Sequence, residues 1–220
     1  MPNRYLWRYT ELPALIHLLT ERRLTLLDPQ SWDDTNDSYF LALYKKQEKL
    51  ETVLALCFSM DQETYHQWRV FAPGSGGVCI RFNRAPLIQA AMANGDVRAS
   101  EVTYLQLDEM REKKLRTTEL PFLKRHAFKH ESEYRMLYTS KKASHLTVGF
   151  DVQLTCINRI TLSPWLNKSL AEHMKKFLRS IKGCEGLEIL RSTLIGNEEW
   201  KRYGEGAMRT IKSKPPFAGD

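Results

Sequence analysis

The chain has no apolar run approaching the ~20 residues that cross a bilayer, so the sequence offers no membrane span. Its four cysteines, Cys57, Cys79, Cys156 and Cys184, include no Cys-x-x-Cys pair. Their scatter gives neither a zinc site nor a disulfide framework, and they read as buried free thiols of a reducing compartment. The six histidines (His17, His66, His126, His130, His145 and His173) show no metal-ligand spacing, so no metal site is expected. Gly74-Ser75-Gly76-Gly77 is followed by no Gly-Lys-Ser/Thr and by a strand-like run, which excludes a phosphate-binding loop. No Gly-x-Ser-x-Gly, His-Glu-x-x-His or kinase signature is present. The opening Met1-Pro2-Asn3-Arg4-Tyr5 leads straight into patterned sequence without a signal-peptide pattern, and a cytoplasmic location is expected. Internal repeats and low-complexity segments are also missing.

What is there suits one folded unit. The 220 residues are 42% hydrophobic, enough for a core. A single domain is expected over residues 1–203, followed by a loose tail, 204–220, rich in Lys, Gly and Pro. The net charge is +7, and its placement is uneven. Between Arg111 and His145 ten Lys/Arg face four acids, an excess of six. Such a field attracts polyanions, so nucleic acid is an expected partner of residues 111–145; solvated faces of two helices are the other reading.

The hydrophobic pattern alternates between strand and helix without a steady βαβ rhythm. This favours α+β: a mixed, mainly antiparallel sheet with flanking helices. Val53–Ser59 is a continuous apolar run of strand length, expected to be central and buried. Strands are also read at 4–9, 24–28, 78–82, 99–104, 133–139, 146–151, 157–162 and 187–192. Ser169–Lys182 is the clearest helix, with Leu170, Met174, Phe177, Leu178 and Ile181 on one stripe and Gly183 at its end. Helices are further expected at 11–23, 38–50, 62–71 and 84–94, and two basic ones at 105–116 and 119–130.

Four segments carry chemistry. In His130-Glu131-Ser132-Glu133-Tyr134-Arg135, two carboxylates two apart on a strand share a face. That closeness raises at least one pKa unless a cation intervenes. Such a pair orients a ribose hydroxyl, serves as general base or holds a divalent metal; a solvent-facing edge pair balanced by Arg135 and Lys129 is the plainer reading. Ser59 ends the apolar strand and either binds a ligand at the sheet rim or caps the next turn. Arg8 lies among Tyr5, Trp7 and Tyr9, either stacked or aimed at an anion. The acidic turn Asp33-Asp34-Thr35-Asn36-Asp37 reads better as an Asx-turn opening a helix than as a calcium loop.

An ordered set of landmarks resembles the bacterial family catalogued as domain of unknown function 2971. It comprises Tyr5-Leu6-Trp7-Arg8-Tyr9, Trp32-Asp33-Asp34-Thr35-Asn36-Asp37, Cys57-Phe58-Ser59, Gln67-Trp68 with Ala72, Gly77-Val78-Cys79-Ile80-Arg81-Phe82, Val102-Thr103-Tyr104 and Glu131-x-Glu133-Tyr134-Arg135. The order Arg8, Ser59, Glu131-x-Glu133 is also similar to ADP-ribosyltransferases of the Arg-Ser-Glu type, although Ser59 is followed by Met60 where that type has a Ser-Thr-Ser triplet. The second resemblance implies an ADP-ribosyltransferase-like fold with NAD as co-substrate. It implies that Arg8 holds the NAD phosphates and ribose, and that Ser59 supports the nicotinamide ribose. Glu133 becomes the essential carboxylate, and Glu131 positions or activates the acceptor. Trp68 or Tyr134 is expected to stack on nicotinamide or a target base. The stretch before Glu131 touches the target, with Lys124, Arg125, Phe128 and Lys129 mixing charge and aromatic surface as nucleic-acid binding needs.

The leading expectation is therefore a toxin or defence effector that moves ADP-ribose from NAD to a macromolecule such as nucleic acid, with a neutralising antitoxin protein as a partner. Two alternatives stand beside it. One is a metal-dependent nuclease using Glu131, Glu133 and Asp33 or Asp37, with Lys141 or Lys142 near the scissile phosphate. The other is a non-catalytic nucleic-acid- or protein-binding module.

Overall fold

A computed structural model describes residues 4–93 and 95–212. Eleven strands occur among them: β1 (Tyr5–Glu11), β2 (Arg23–Leu27), β3 (Thr52–Ser59), β4 (Gly77–Asn83), β5 (Val97–Glu101), β6 (Thr103–Leu105), β7 (Leu123–Arg125), β8 (Glu133–Ser140), β9 (Thr147–Asp151), β10 (Ile157–Leu162) and β11 (Ile189–Arg191). The helices are α1 (Leu12–Glu21), α2 (Thr35–Gln47), α3 (Tyr65–Phe71), α4 (Arg84–Met92), α5 (Leu107–Glu112), α6 (Lys168–Ser180) and α7 (Glu198–Lys212). The fold is α+β. Nine strands form one sheet whose pairings are antiparallel except for β10 with β11, and β6 pairs with β7 in parallel as a separate ribbon.

The strand read as central is central. β8 lies along the whole of β3, from Thr52 opposite Ser140 to Ser59 opposite Glu133. The other edge of β3 is shared. β1 meets it at one pair, Trp7 opposite Ser59, and β2 meets it at one pair, Leu27 opposite Ala55. Between these two points the sheet forks, and among the described residues no strand faces Cys57 on that side.

The two faces of the sheet are covered differently. Leu54, Leu56 and Phe58 of β3 and Tyr134 and Met136 of β8 point into the main core, where α1, α4 and α6 deliver Leu15, Leu18, Leu87, Ala91, Ala171 and Leu178. On the opposite face two smaller apolar clusters stand apart. One joins α2 to Val53, Ala55 and Leu137, and the other joins α3 to Trp7, Tyr9 and Cys79. The polar residues at the ends of β3 and β8 lie on this second face.

Local chemistry explains the helix starts. Asp34 accepts from the backbone N–H of Asn36 and Asp37 and so opens α2, as the Asx reading expects. Thr64 and Gln67 form a capping box on α3. One expected helix is absent. No helix covers 119–130: Thr117–Phe122 and His126–Glu131 are 3₁₀ turns on either side of β7. Pro121 sits inside the first turn, and a proline there removes the N–H that an α-helix would use. The tail expected to be loose from 204 is helical as far as Lys212 in α7; residues 213–220 lie outside the described residues. The helix read at 84–94 ends at Met92, and its last position, Asn94, is also outside them.

Candidate active site

The fork opens a cleft of about 450 Å³, within the range of small-molecule sites. Arg8, Ser59, Glu131 and Glu133 all line it. A guanidinium from the first strand, a hydroxyl from the third and two acids from the eighth and its approach are thus brought to one hollow.

Arg8 leaves β1 where that strand diverges from β3, and its Nη1 donates to the Cys57 carbonyl at 2.8 Å. No ion-pair partner faces it among the described residues, and burial pulls its pKa down, with Cys57 acting weakly the other way. A desolvated, uncompensated cation favours an anionic ligand. Of the two roles read for Ser59, the capping one is formed. Its Oγ caps the turn by accepting from Asp61 N–H at 3.2 Å and lines the cleft. Gln67, fully buried, donates to the same oxygen at 2.6 Å and accepts from the Tyr9 hydroxyl at 2.9 Å. With both lone pairs engaged, the serine proton is left as a donor.

The carboxylate pair is not an exposed edge feature. β8 lies between β3 and β5, and Glu133 is only 4% exposed. Glu131 ends a 3₁₀ turn, and Ser132 takes the left-handed conformation, φ 47°. The two acids therefore converge through a turn rather than through strand alternation. Arg135, fully buried, donates to Glu133 through Nε at 2.6 Å and Nη2 at 3.1 Å. The same guanidinium grips Asp37 with bonds of 2.8 and 2.6 Å. Lys124 Nζ bonds Glu131 and lies 3.3 Å from Glu133 and 3.5 Å from Asp37. The balancing cation is thus Lys124, with Arg135, rather than Lys129. Burial works to raise the Glu133 pKa, but Arg135 and Lys124 prevail and hold it at about 2. Glu131 goes the other way, raised by burial more than Lys124 lowers it. With all ionised, three acids against two cations leave one net negative charge beside the hollow, with Arg8 lining the same cleft.

Several expected site residues lie elsewhere. Trp68 is 0% exposed, packs edge-on against Tyr9 and donates from Nε1 to Glu63 at 2.6 Å. Tyr134 follows Glu133 on a strand and so points into the main core, beneath Arg84. Neither is placed to stack on a ligand. The aromatic residues that line the cleft include Trp7, Trp32, Phe71 and Phe128. Trp32, with the Arg135 guanidinium 5.0 Å from its ring, stood in the acidic turn as an apolar residue without an apolar neighbour, which was its one signal. Lys124 is internal and its charge is spent on acids. Arg125 and Lys129 are exposed, and Phe128 is half-buried and lines the cleft. Setting aside buried Lys124 and Arg135, the eight exposed cations of 111–145 still outnumber Glu112 and Glu119 by six.

The arrangement needed for a metal-dependent nuclease is not formed. Asp37 and Glu133 are turned onto Arg135, and Glu131 onto Lys124. Lys141 and Lys142 follow the far end of β8, about 23 Å from Glu133 at strand rise. Among the described residues no cluster of three His, Cys, Asp or Glu side chains forms a metal cage.

Comparison with known proteins falls into two parts. Residues 67–136 match the family model described as Protein of unknown function (DUF2971). The matched span holds Gln67-Trp68 with Ala72, Gly77 to Phe82, Val102-Thr103-Tyr104 and Glu131 to Arg135 of the ordered landmarks. No curated protein matches the chain. Among solved structures it is similar to DarT from Thermus sp. 2.9 in three complexes. With ADP-ribosylated ssDNA the identity is 12%, over 86% of this chain and 94% of that one, at a TM-score of 0.42. With NAD+ the values are 11%, 87%, 96% and 0.42. With carba-NAD+ they are 12%, 87%, 97% and 0.42.

Proposed function

We propose that the cleft binds NAD and transfers its ADP-ribose to a macromolecule, with single-stranded nucleic acid as the acceptor class. One observation carries the reading: an unpaired guanidinium, Arg8, and an ionised carboxylate, Glu133, line the same aromatic-walled hollow. Arg8 suits the pyrophosphate, since a guanidinium matches phosphate oxygens with paired N–H donors. The walls Trp7, Trp32, Phe71 and Phe128 suit the flat rings of a dinucleotide. Ser59 donates to the nicotinamide ribose.

When the bond from ribose C1′ to nicotinamide breaks, its electron pair leaves with nicotinamide and positive charge builds on the sugar. Glu133 is the fixed counter-charge for that moment, and stabilisation of this kind strengthens in a water-poor site. The acceptor atom bonds to C1′ and gives up its proton to Glu131. The exposed cations of 111–145 attract a phosphate backbone. Toxicity, a role in defence and a neutralising antitoxin partner belong to the same proposal.

The test is to incubate the protein with NAD, with and without a single-stranded oligonucleotide. Nicotinamide release and a mass gain of one ADP-ribose on the oligonucleotide are the readouts. Glu133→Gln is expected to slow release by about 10²–10³-fold while NAD still binds. Unchanged release in that variant, or none from the native protein, defeats the proposal; oligonucleotide binding without release leaves a non-catalytic module.

A further inference from the structure

The ribbon of β6 and β7 has three residues in each strand, yet it reaches the centre of the site. Its pairing sets Tyr104 opposite Lys124, and both residues close on Glu133. The Tyr104 hydroxyl oxygen accepts from the Glu133 backbone N–H at 2.8 Å. The Lys124 ammonium enters among three carboxylates, from α2 (Asp37), from the 3₁₀ turn (Glu131) and from β8 (Glu133). Its side chain is only 7% exposed, and the ammonium lies 5.2 Å from the centre of the Phe128 ring. An ammonium carries three donors, and here three acids surround it.

The two glutamates are held unequally. Glu133 is gripped by Arg135 as well as Lys124, whereas Glu131 has Lys124 as its sole ion-pair partner among the described residues. We infer that Lys124 is a positioning residue: it draws Glu131 out of its turn against Glu133, and it alone keeps Glu131 available to take a proton from the acceptor. The assignment of the proton to Glu131 rests on the transfer reading above; the electrostatic dependence of Glu131 on Lys124 does not. Among the described residues, the other charged or titratable groups around this centre are Arg135, Asp37, Cys57 on β3, Tyr104 on β6 and, lining the same hollow, Arg8, Asp33 and Asp34. None of the cations among them is ion-paired with Glu131. The direction in which burial pushes Glu131 agrees, since only one cation opposes it.

The inference is tested with Lys124→Met and Lys124→Arg in the full chain. Carboxyl carbon NMR follows the Glu131 titration directly. Loss of an opposite charge at this range raises a carboxyl midpoint by about 1–3 pH units. That rise is expected in Lys124→Met, with Lys124→Arg near native. The acid limb of transfer to the oligonucleotide should move up by the same amount in Lys124→Met and return in Lys124→Arg. A folded Lys124→Met protein with an unmoved Glu131 midpoint overturns the inference. If that variant does not fold, Lys124→Gln takes its place with the same carboxyl titration: a rise of that size supports the inference, and an unmoved Glu131 midpoint in the folded protein overturns it. If the native protein releases no nicotinamide, the transfer reading falls, and the carboxyl titration still settles the role of Lys124.

Discussion

At the scale of single residues, the centre of the site is an electrostatic knot in which Arg135 bonds both Glu133 and Asp37. Removing one member of a buried ion pair costs more than the pair contributes, because the remaining charge stays desolvated. The pH dependence of stability follows from Glu133. Its folded-state pKa of about 2 lies below its ordinary 4.5. Its contribution is therefore fully present above 4.5 and fades as pH falls through about 2. The size is on the order of 3 kcal/mol. Asp37 and Glu131, raised chiefly by burial, act with opposite sign, so whole-protein melts blend the two. Comparing melts of the native protein and Glu133→Gln across pH isolates the term: the gap between them should be widest above pH 5 and close towards pH 2. A gap independent of pH would mean that Glu133 is not held as described. In the sequence, the acids and Arg8 were visible because an Arg, a Ser and a Glu-x-Glu stand in a meaningful order. The knot itself was not. Asp37 and Arg135 are 98 residues apart, and nothing local to either announces the other.

At the scale of elements, strands were easier to read than the connections. The run Val53–Ser59 is apolar on both faces because both are covered, and Ile157–Leu162 was legible with its bounds intact. The segment before Glu131 misled because its basic residues resemble a solvated helix. Leu120 and Leu123, both buried, recur at three, a 3₁₀ spacing, and Pro121 lacks the N–H that an α-helix begun at Thr117 would use. The helical character of α7 was hidden by Gly204 and Gly206, poor helix formers. Glycine matters most at Gly77, where β4 begins. A Cβ there would stand 2.2 Å from the Ala72 carbonyl oxygen, closer than any real contact. Gly77→Ala must push apart the end of α3 and the start of β4. A loss of about 2–3 kcal/mol is expected, read from the denaturant midpoint. A loss under about 0.5 kcal/mol, the range of neutral surface changes, would show that the contact relaxes freely.

At the scale of the whole molecule, the main sheet is largely antiparallel and does not close on itself along β3. One blade runs β11-β10-β4-β1, another β5-β8-β3, and β2 with β9 makes a third. They meet at single pairs on one strand edge, so the hollow lies within the sheet instead of above it. Composition could announce a sheet but not where it splits, because splitting depends on which strands compete for an edge. The competition leaves one rung missing from the ladder. Cys57 offers its carbonyl to Arg8, and in strand geometry its N–H points the same way. A strand edge exposed in the interior of a sheet is a place where hydrogen exchange reports occupancy. The Cys57 amide should exchange faster than those of Ala55 and Ser59 on either side, and slow when ADP-ribose or a dinucleotide fills the gap. Equal protection at the three positions with and without ligand would mean that the gap is already sealed.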